Sequence, residues 1–344
     1  MNTLLVSGGL LVDELSVRPM DVLIQDGHVQ AILPPGRAPT AADVLDASGL
    51  HILPGVVDAH VHFNEPGRTD WEGFLTGSTA AAAGGVTTVC DAAGHDTPLD
   101  WARSRPPSTE GDAVRRALEF ARETGNDVRL HFVHISTSAA ARLIGEARAT
   151  GQDVSLETCP HYLALDESDL ERLGNAGKCA PPLRGRHEVE GLWQALLNGT
   201  IDWVASDHSP CPPSMKDTDT IWSAWGGIGG VQTLLPVLLT EGFFARGLSL
   251  PRLVTLTAGN PSRRLGLYAR KGALEIGSDA DLVLVDLAHE WTLTETDLRT
   301  RWRGNPFLGK TFRGQVVLTM VRGTVVWRDG AARVKPGFGR LVSA

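Results

Sequence analysis

Two histidines one residue apart, His60 and His62, stand at the end of the apolar run VVDAHVHF. On an extended strand alternate side chains face the same way, so both imidazoles point to one side and can share a metal ion. Two histidines that are merely hydrogen-bonded at a strand end would show the same spacing, so the pair alone leaves both readings open. His134 closes a second strand-like run, LHFVHIS, and Asp207 closes a third, IDWVASDHSP. Imidazoles with a carboxylate suit Zn2+ or a similar divalent ion that keeps an open position for water. Such an ion acidifies water and polarises a carbonyl. Asp207 would then serve as ligand and as proton carrier, from the attacking water to a leaving amide nitrogen. Its alternative role is to cap the turn that follows. His161, His208 and His95 rank below these, since each is as readily explained by a structural hydrogen bond.

These side chains need elements that bring strand ends together. From residue 54 onward apolar runs alternate with helical patterns, as in parallel β/α units. TGSTAAAAGG reads as a helix closed by glycine. Thr109 and Asp112 read as a capping box opening DAVRRALEFARETG. STSAAARLIGEARATG and QDVSLETCPHY read as the next helix and strand. In a β/α barrel, polar residues at the carboxyl ends of strands mark the active face. The first 53 residues instead read as short strands and turns, with Asp26-Gly27 as a hairpin signal. The same texture returns in GALEIGSDADLVLVDL and QVVLTMVRGTVVWRDG. The two chain ends are expected to share one sheet assembly, because short strands need partners.

A complete eight-unit barrel takes about 250 residues. Between His60 and Asp207 only five strand candidates are present, and the stretch from Val89 to Leu130 holds one crossover, not four. Either the barrel is incomplete or a partner chain supplies the remainder.

Composition bounds the partners. The 344 residues carry 42% hydrophobic and 21% charged side chains with a formal net charge of −8, and no basic stripe invites nucleic acid. No apolar run reaches the ~20 residues of a membrane helix, and the amino-terminal stretch lacks a basic leader, so a cytoplasmic protein is expected. Cys90, Cys159, Cys179 and Cys211 show no C-x-x-C spacing and read as free thiols. The glycine run 226–230 lacks the strand-coupled pattern of a nucleotide fold.

PGVVDAHVHFNEPGRTDWEGF, AAAAGGVTTV, HIST, ETCPHYLAL, KCAPPLR, SDHSPCPP, AWGGIGGVQ and GSDADLVLVD occur in this order. The series resembles the allantoinases, within the dihydroorotase and hydantoinase branch of the amidohydrolases, over most of the chain. The resemblance implies a TIM-type (β/α) barrel over residues 54–267 and a small β-sandwich domain from residues 1–53 and 268–344. It implies hydrolysis of the ring amide of allantoin to allantoate in purine catabolism, and a homo-oligomer. His60 and His62 would bind one metal, His134 would help bind a second, and Asp207 would bind metal and move protons. The loops 179–183 and 226–230, through Ala180 and Gly227, would offer backbone hydrogen bonds to the ring. Asn64 favours allantoin over dihydroorotate, whose hydrolases carry an arginine there.

The departures are equally specific. The resemblance implies a carbamylated lysine bridging two metals and a further histidine, on middle strands that are missing here. None of the five lysines, Lys178, Lys216, Lys271, Lys310 and Lys335, ends a strand in the required place. His95 is a weak substitute for the lost histidine. The expected site therefore holds one ion or none. The alternatives are another cyclic-amide hydrolase, acting on a hydantoin or dihydroorotate, and an inactive relative.

Overall fold

The computed structural model describes residues 3–38, 43–65, 68–91 and 105–343. His95 and the loop around it lie outside these residues. The chain begins with β1 (Thr3–Ser7), β2 (Leu10–Val12), β3 (Val17–Pro19), β4 (Asp21–Gln25), β5 (His28–Leu33), β6 (Asp43–Asp46) and β7 (His51–Pro54). Strands β5, β4, β1 and β6 form a four-stranded sheet in that order. The β4–β5 hairpin turns on Asp26 and Gly27, whose φ values of 49° and 87° are both left-handed, as a two-residue turn matching strand twist requires.

Next come β8 (Val56–Val61), α1 (Phe74–Ala83), β9 (Val86–Asp91), α2 (Pro107–Glu123), β10 (Leu130–Phe132), α3 (Ser138–Ala149), β11 (Val154–Thr158), α4 (Pro160–Ala164), α5 (Glu167–Leu173), α6 (Arg186–Leu197) and β12 (Trp203–Val204). β8 and β9 pair in parallel, as do β10, β11 and β12. Parallel bridges from His208 to Val61 and to Ile228 join the chain beyond β12 to β8. The result is a wall ordered β9, β8, β12, β11, β10. Among the described residues β9 pairs only with β8 and β10 only with β11, and no closed barrel forms. Among the described residues, the shortage of strand units between Val89 and Leu130 leaves β9 and β10 unpaired with one another.

The terminal strands β13 (Leu282–Thr292), β14 (Thr311–Val321), β15 (Thr324–Arg328) and β16 (Ala331–Ala332) extend a seven-stranded sheet ordered β16, β15, β14, β13, β7, β2, β3. The two chain ends meet where β13 lies antiparallel to β7, Leu282 opposite Pro54. Val6, Leu11, Ile24, Ile52, Leu282, Leu318 and Met320 form a separate buried cluster of strand residues from both ends. At Gly55 the chain passes from this sheet into β8, and a Cβ there would lie 2.2 Å from Thr87. Only glycine permits that crossing without displacing β9.

Local expectations meet two corrections. α2 opens with Pro106 as its cap and Pro107 in its first turn, so Thr109 and Asp112 lie inside the helix and form no capping box. Proline at the first helical position presets φ and gives up an amide that has no acceptor anyway. β10 ends at Phe132, so His134 sits two residues beyond the strand. Helices α1 and α3 follow expectation: Gly84 caps the first, and Thr137 accepts the amide of Ala140 at the start of the second. α6 is anchored by the fully buried Trp193, whose indole N–H donates to the Leu163 carbonyl of α4 at 2.7 Å.

Candidate metal centre

The alternation of β8 sets Asp58, His60 and, one step past the strand, His62 on one side. His60 Nε2 lies 3.2 Å from His62 Nε2. Asp207 Oδ1 lies 3.6 Å from the first and 3.4 Å from the second. Ligand bonds of about 2.0–2.1 Å in a tetrahedron place donor atoms roughly 3.4 Å apart. The triangle therefore fits one divalent ion of that size, and the three residues form a possible ligand group among the described residues. The His134 ring is close by, its centroid 5.6 Å from that of His60. Asn64, His134 and Asp207 have φ of 60°, 40° and 45°, in the left-handed region that side-chain-bearing residues seldom occupy. Such backbone persists where surrounding contacts over-determine it.

The supports come from distant segments. Asp58 Oδ1 accepts the amides of Ser206 at 3.0 Å and His60 at 3.3 Å, linking β8 to the segment that carries Asp207. Glu157, on β11, accepts from His60 Nδ1 at 2.8 Å through one oxygen. Its other oxygen takes the Trp203 indole N–H at 2.7 Å and faces His131 Nε2 at 3.1 Å. The role of Glu157 has no signal in the sequence, whereas for Asp58 the two-residue step to His60 is one.

Charge in the cluster favours a cation. Burial opposes a charged His60, yet the carboxylates of Glu157, Asp207 and Asp58 hold its pKa up to about 9. Burial would raise Asp207, but His62, His134, His60 and His161 bring it down to about 2. Asp58 is pushed up to about 6 by burial. Three carboxylates around paired imidazoles thus stabilise positive charge at the point where the Nε2 atoms and Oδ1 converge.

His208 belongs elsewhere. Its Nδ1 accepts the amides of Gly230 at 3.1 Å and Val231 at 3.3 Å, so the ring proton is on Nε2, facing Glu72 Oε2 at 3.4 Å. Both side chains are wholly buried, and the pair fastens the strand end beside Asp207 to the loop before α1. Gly227 follows the same strand end: a Cβ there would lie 2.4 Å from the Ser209 carbonyl. Gly226 brings this loop against Ala180, with a Cβ position 3.6 Å from the alanine methyl. Asn64 donates from its side-chain amide to the His62 carbonyl at 3.0 Å.

The lysines are engaged elsewhere. Lys178 donates to the carbonyls of Trp222 and Ala224, Lys216 to that of Lys178, and Lys271 and Lys310 pair with acids remote from His60. Lys335 is exposed near the carboxyl end. The donors at His60, His62 and Asp207 have the spacing that one ion requires, and no lysine stands beside them among the described residues.

The chain matches the Amidohydrolase family over residues 51–153 and 101–326. The allantoinase of Solibacter usitatus is 36% identical, with 99% of this chain and 97% of that protein covered. The allantoinase of Deinococcus radiodurans is 37% identical, covering 98% of each. The first alignment runs over 449 positions against a chain of 344 residues, so about a hundred positions of the relative face a gap. Among solved structures, the L-hydantoinase (dihydropyrimidinase) from Arthrobacter aurescens superposes with a TM-score of 0.91 at 28% identity over 100% of both chains. The dihydropyrimidinase from Brevibacillus agri NCHU1002 gives 0.87 at 26% identity, over 96% of each. No helix among the described residues is long and apolar enough to cross a membrane. A matched family profile across most of the chain and relatives above 30% identity over nearly all of it place this chain in the amidohydrolase family, among its hydrolases of cyclic amides.

Proposed function

We propose that the chain hydrolyses the ring amide of allantoin to allantoate, using one divalent ion held by His60, His62 and Asp207. The single observation that carries this reading is the convergence of those three donors at 3.2–3.6 Å. When bound, a Zn2+-like ion supplies Lewis acidity to the amide carbonyl and to water. Asp207 takes a proton from the attacking water as the C–O bond forms and returns it to the ring nitrogen as the C–N bond breaks. Glu157 and Asp58 hold His60 in orientation. Ala180 and Gly227 offer backbone groups to the ring, and the neutral Asn64 leaves no cation for a substrate carboxylate. In this reading residues 54–267 are the hydrolase domain, scaffolded by residues 1–53 and 268–344.

The fold likeness to hydantoinases favours a second reading, in which a hydantoin ring takes the place of allantoin. Metal content and hydrolysis of allantoin, hydantoin and dihydroorotate, measured on one purified sample with and without added Zn2+ or Mn2+, separate them. The expected outcome is at least one ion per chain, lost from the His60, His62 and Asp207 group in His60→Ala, and turnover of allantoin that falls at least 100-fold in that variant. Preference for hydantoin selects the second reading. A folded sample with no ion and no turnover makes the chain a family member by descent alone.

A further inference from the structure

Beside the triangle of His60, His62 and Asp207 lies a second group of donors, Cys159, His161 and Asp207. Cys159 is the residue after β11 and caps α4, and His161 falls in the first turn of that helix. Their ligand atoms lie within 4.8 Å of one another and of Asp207, and all three residues are buried, at 0%, 1% and 6% exposure. His161 Nε2 is shielded from solvent and has no hydrogen-bond partner. Buried polar atoms are rarely left so, because nothing replaces the water they lose. A buried imidazole that keeps an orphaned nitrogen and lies beside a thiol and a carboxylate has the donor set of a coordination site.

We propose that Cys159, His161 and Asp207 form a second divalent-cation site selective for a soft ion such as Zn2+. Thiolate, imidazole and carboxylate are ligands that such an ion combines. A tetrahedral ion with bonds of about 2.3 Å to sulfur and 2.0–2.1 Å to nitrogen needs donor separations near 3.5 Å. From a spread of up to 4.8 Å, the group closes by at most about 1.3 Å per side through side-chain rotation. Asp207 carries two carboxylate oxygens and serves both groups. As the sulfur–metal bond forms, the thiol proton passes to solvent. The pair of ions would thus share Asp207, and no bridging lysine is required. This inference does not rest on which ring the chain hydrolyses.

The test is a Co2+ titration of the full chain after chelator treatment, followed by absorption. Two equivalents are expected, one of them bringing the near-ultraviolet sulfur-to-cobalt charge-transfer band that imidazole and carboxylate ligands do not produce. Cys159→Ser should lose the band and one equivalent while retaining the other. His60→Ala should keep the band, and His161→Ala should weaken the band-bearing equivalent at least tenfold. Absence of the band from the wild-type chain overturns the proposal without any variant. A band that survives in Cys159→Ser overturns it as well, since another thiol would then be the ligand.

Discussion

Glu157 carries more of the site than its place inside β11 announces. An ionised carboxylate only accepts, so the hydrogen bond at 2.8 Å places a proton on His60 Nδ1 and turns Nε2 toward His62 and Asp207. Burial opposes the ionised form, but His131 and His60 hold the Glu157 pKa down to about 2. His131 is itself fixed by stacking on Trp203, the ring centroids 4.2 Å apart, and by Ser155 at 2.9 Å. Removing a carboxylate that orients a ligating imidazole commonly weakens the metal 10–100-fold. Glu157→Ala should therefore lose roughly 10–100-fold in metal affinity, read by competition with a chromophoric chelator. The same change strands the buried Trp203 indole N–H, an additional cost of about 1–3 kcal/mol in a denaturant melt. An unchanged metal affinity would show that His60 holds its orientation without this carboxylate.

At the scale of elements, acidic side chains reinforce the bonds from Ile135 to β11 in fixing the loop after β10. Glu110, in the first turn of α2, accepts the amides of Ser136 and Thr137 at 3.2 and 3.0 Å and both their hydroxyls at 2.5 and 2.7 Å. Glu188 of α6 does the same for Ser138, taking its amide and hydroxyl at 2.7 Å. Two helices thus clamp the start of α3, one turn from His134. Hydrogen bonds to charged groups contribute about 1.5–3 kcal/mol. Glu110→Ala should lower the unfolding free energy by at least that amount, measured as a shift in urea midpoint at constant m. Little change would mean that the packing of α3 against α6 holds the loop unaided. The start of α2 escaped the sequence because Thr109 and Asp112 have capping spacing, whereas Pro106-Pro107, two residues earlier, already commits the backbone.

At the scale of the whole molecule, the terminal strands and the β/α wall brace one another while the wall ends in two outer strands. Inner strands such as β11 have neighbours on both sides, whereas β9 and β10 have one each among the described residues. Amides without a ladder partner open more readily than those in the middle of a sheet. Hydrogen exchange should accordingly run at least tenfold faster in the outward-facing amides of β9 and β10 than in β8 and β11. Equal protection would show that something covers the outer edges in solution. Val133, at 39% exposure, follows β10, and an edge left unpaired among the described residues is also a hazard for self-association.

Features that depend on neighbouring residues were legible in the order of amino acids alone. The two-residue step from His60 to His62, the Asp26-Gly27 turn, the glycine closing α1 and the shortage of strand units all follow from local periodicity and turn chemistry. So did the family, through ordered motifs. Which distant groups meet was set by the packing of the strands. Glu157 reaches His60 across 97 residues of chain, and Asp58 reaches Ser206 across 148. Such pairings depend on how far each strand is rotated and offset in the wall, which no local pattern records. The placement of Cys159 and His161 against Asp207 is of the same kind: it arises because β11 and β12 lie side by side, so that the residues just past their ends face one another.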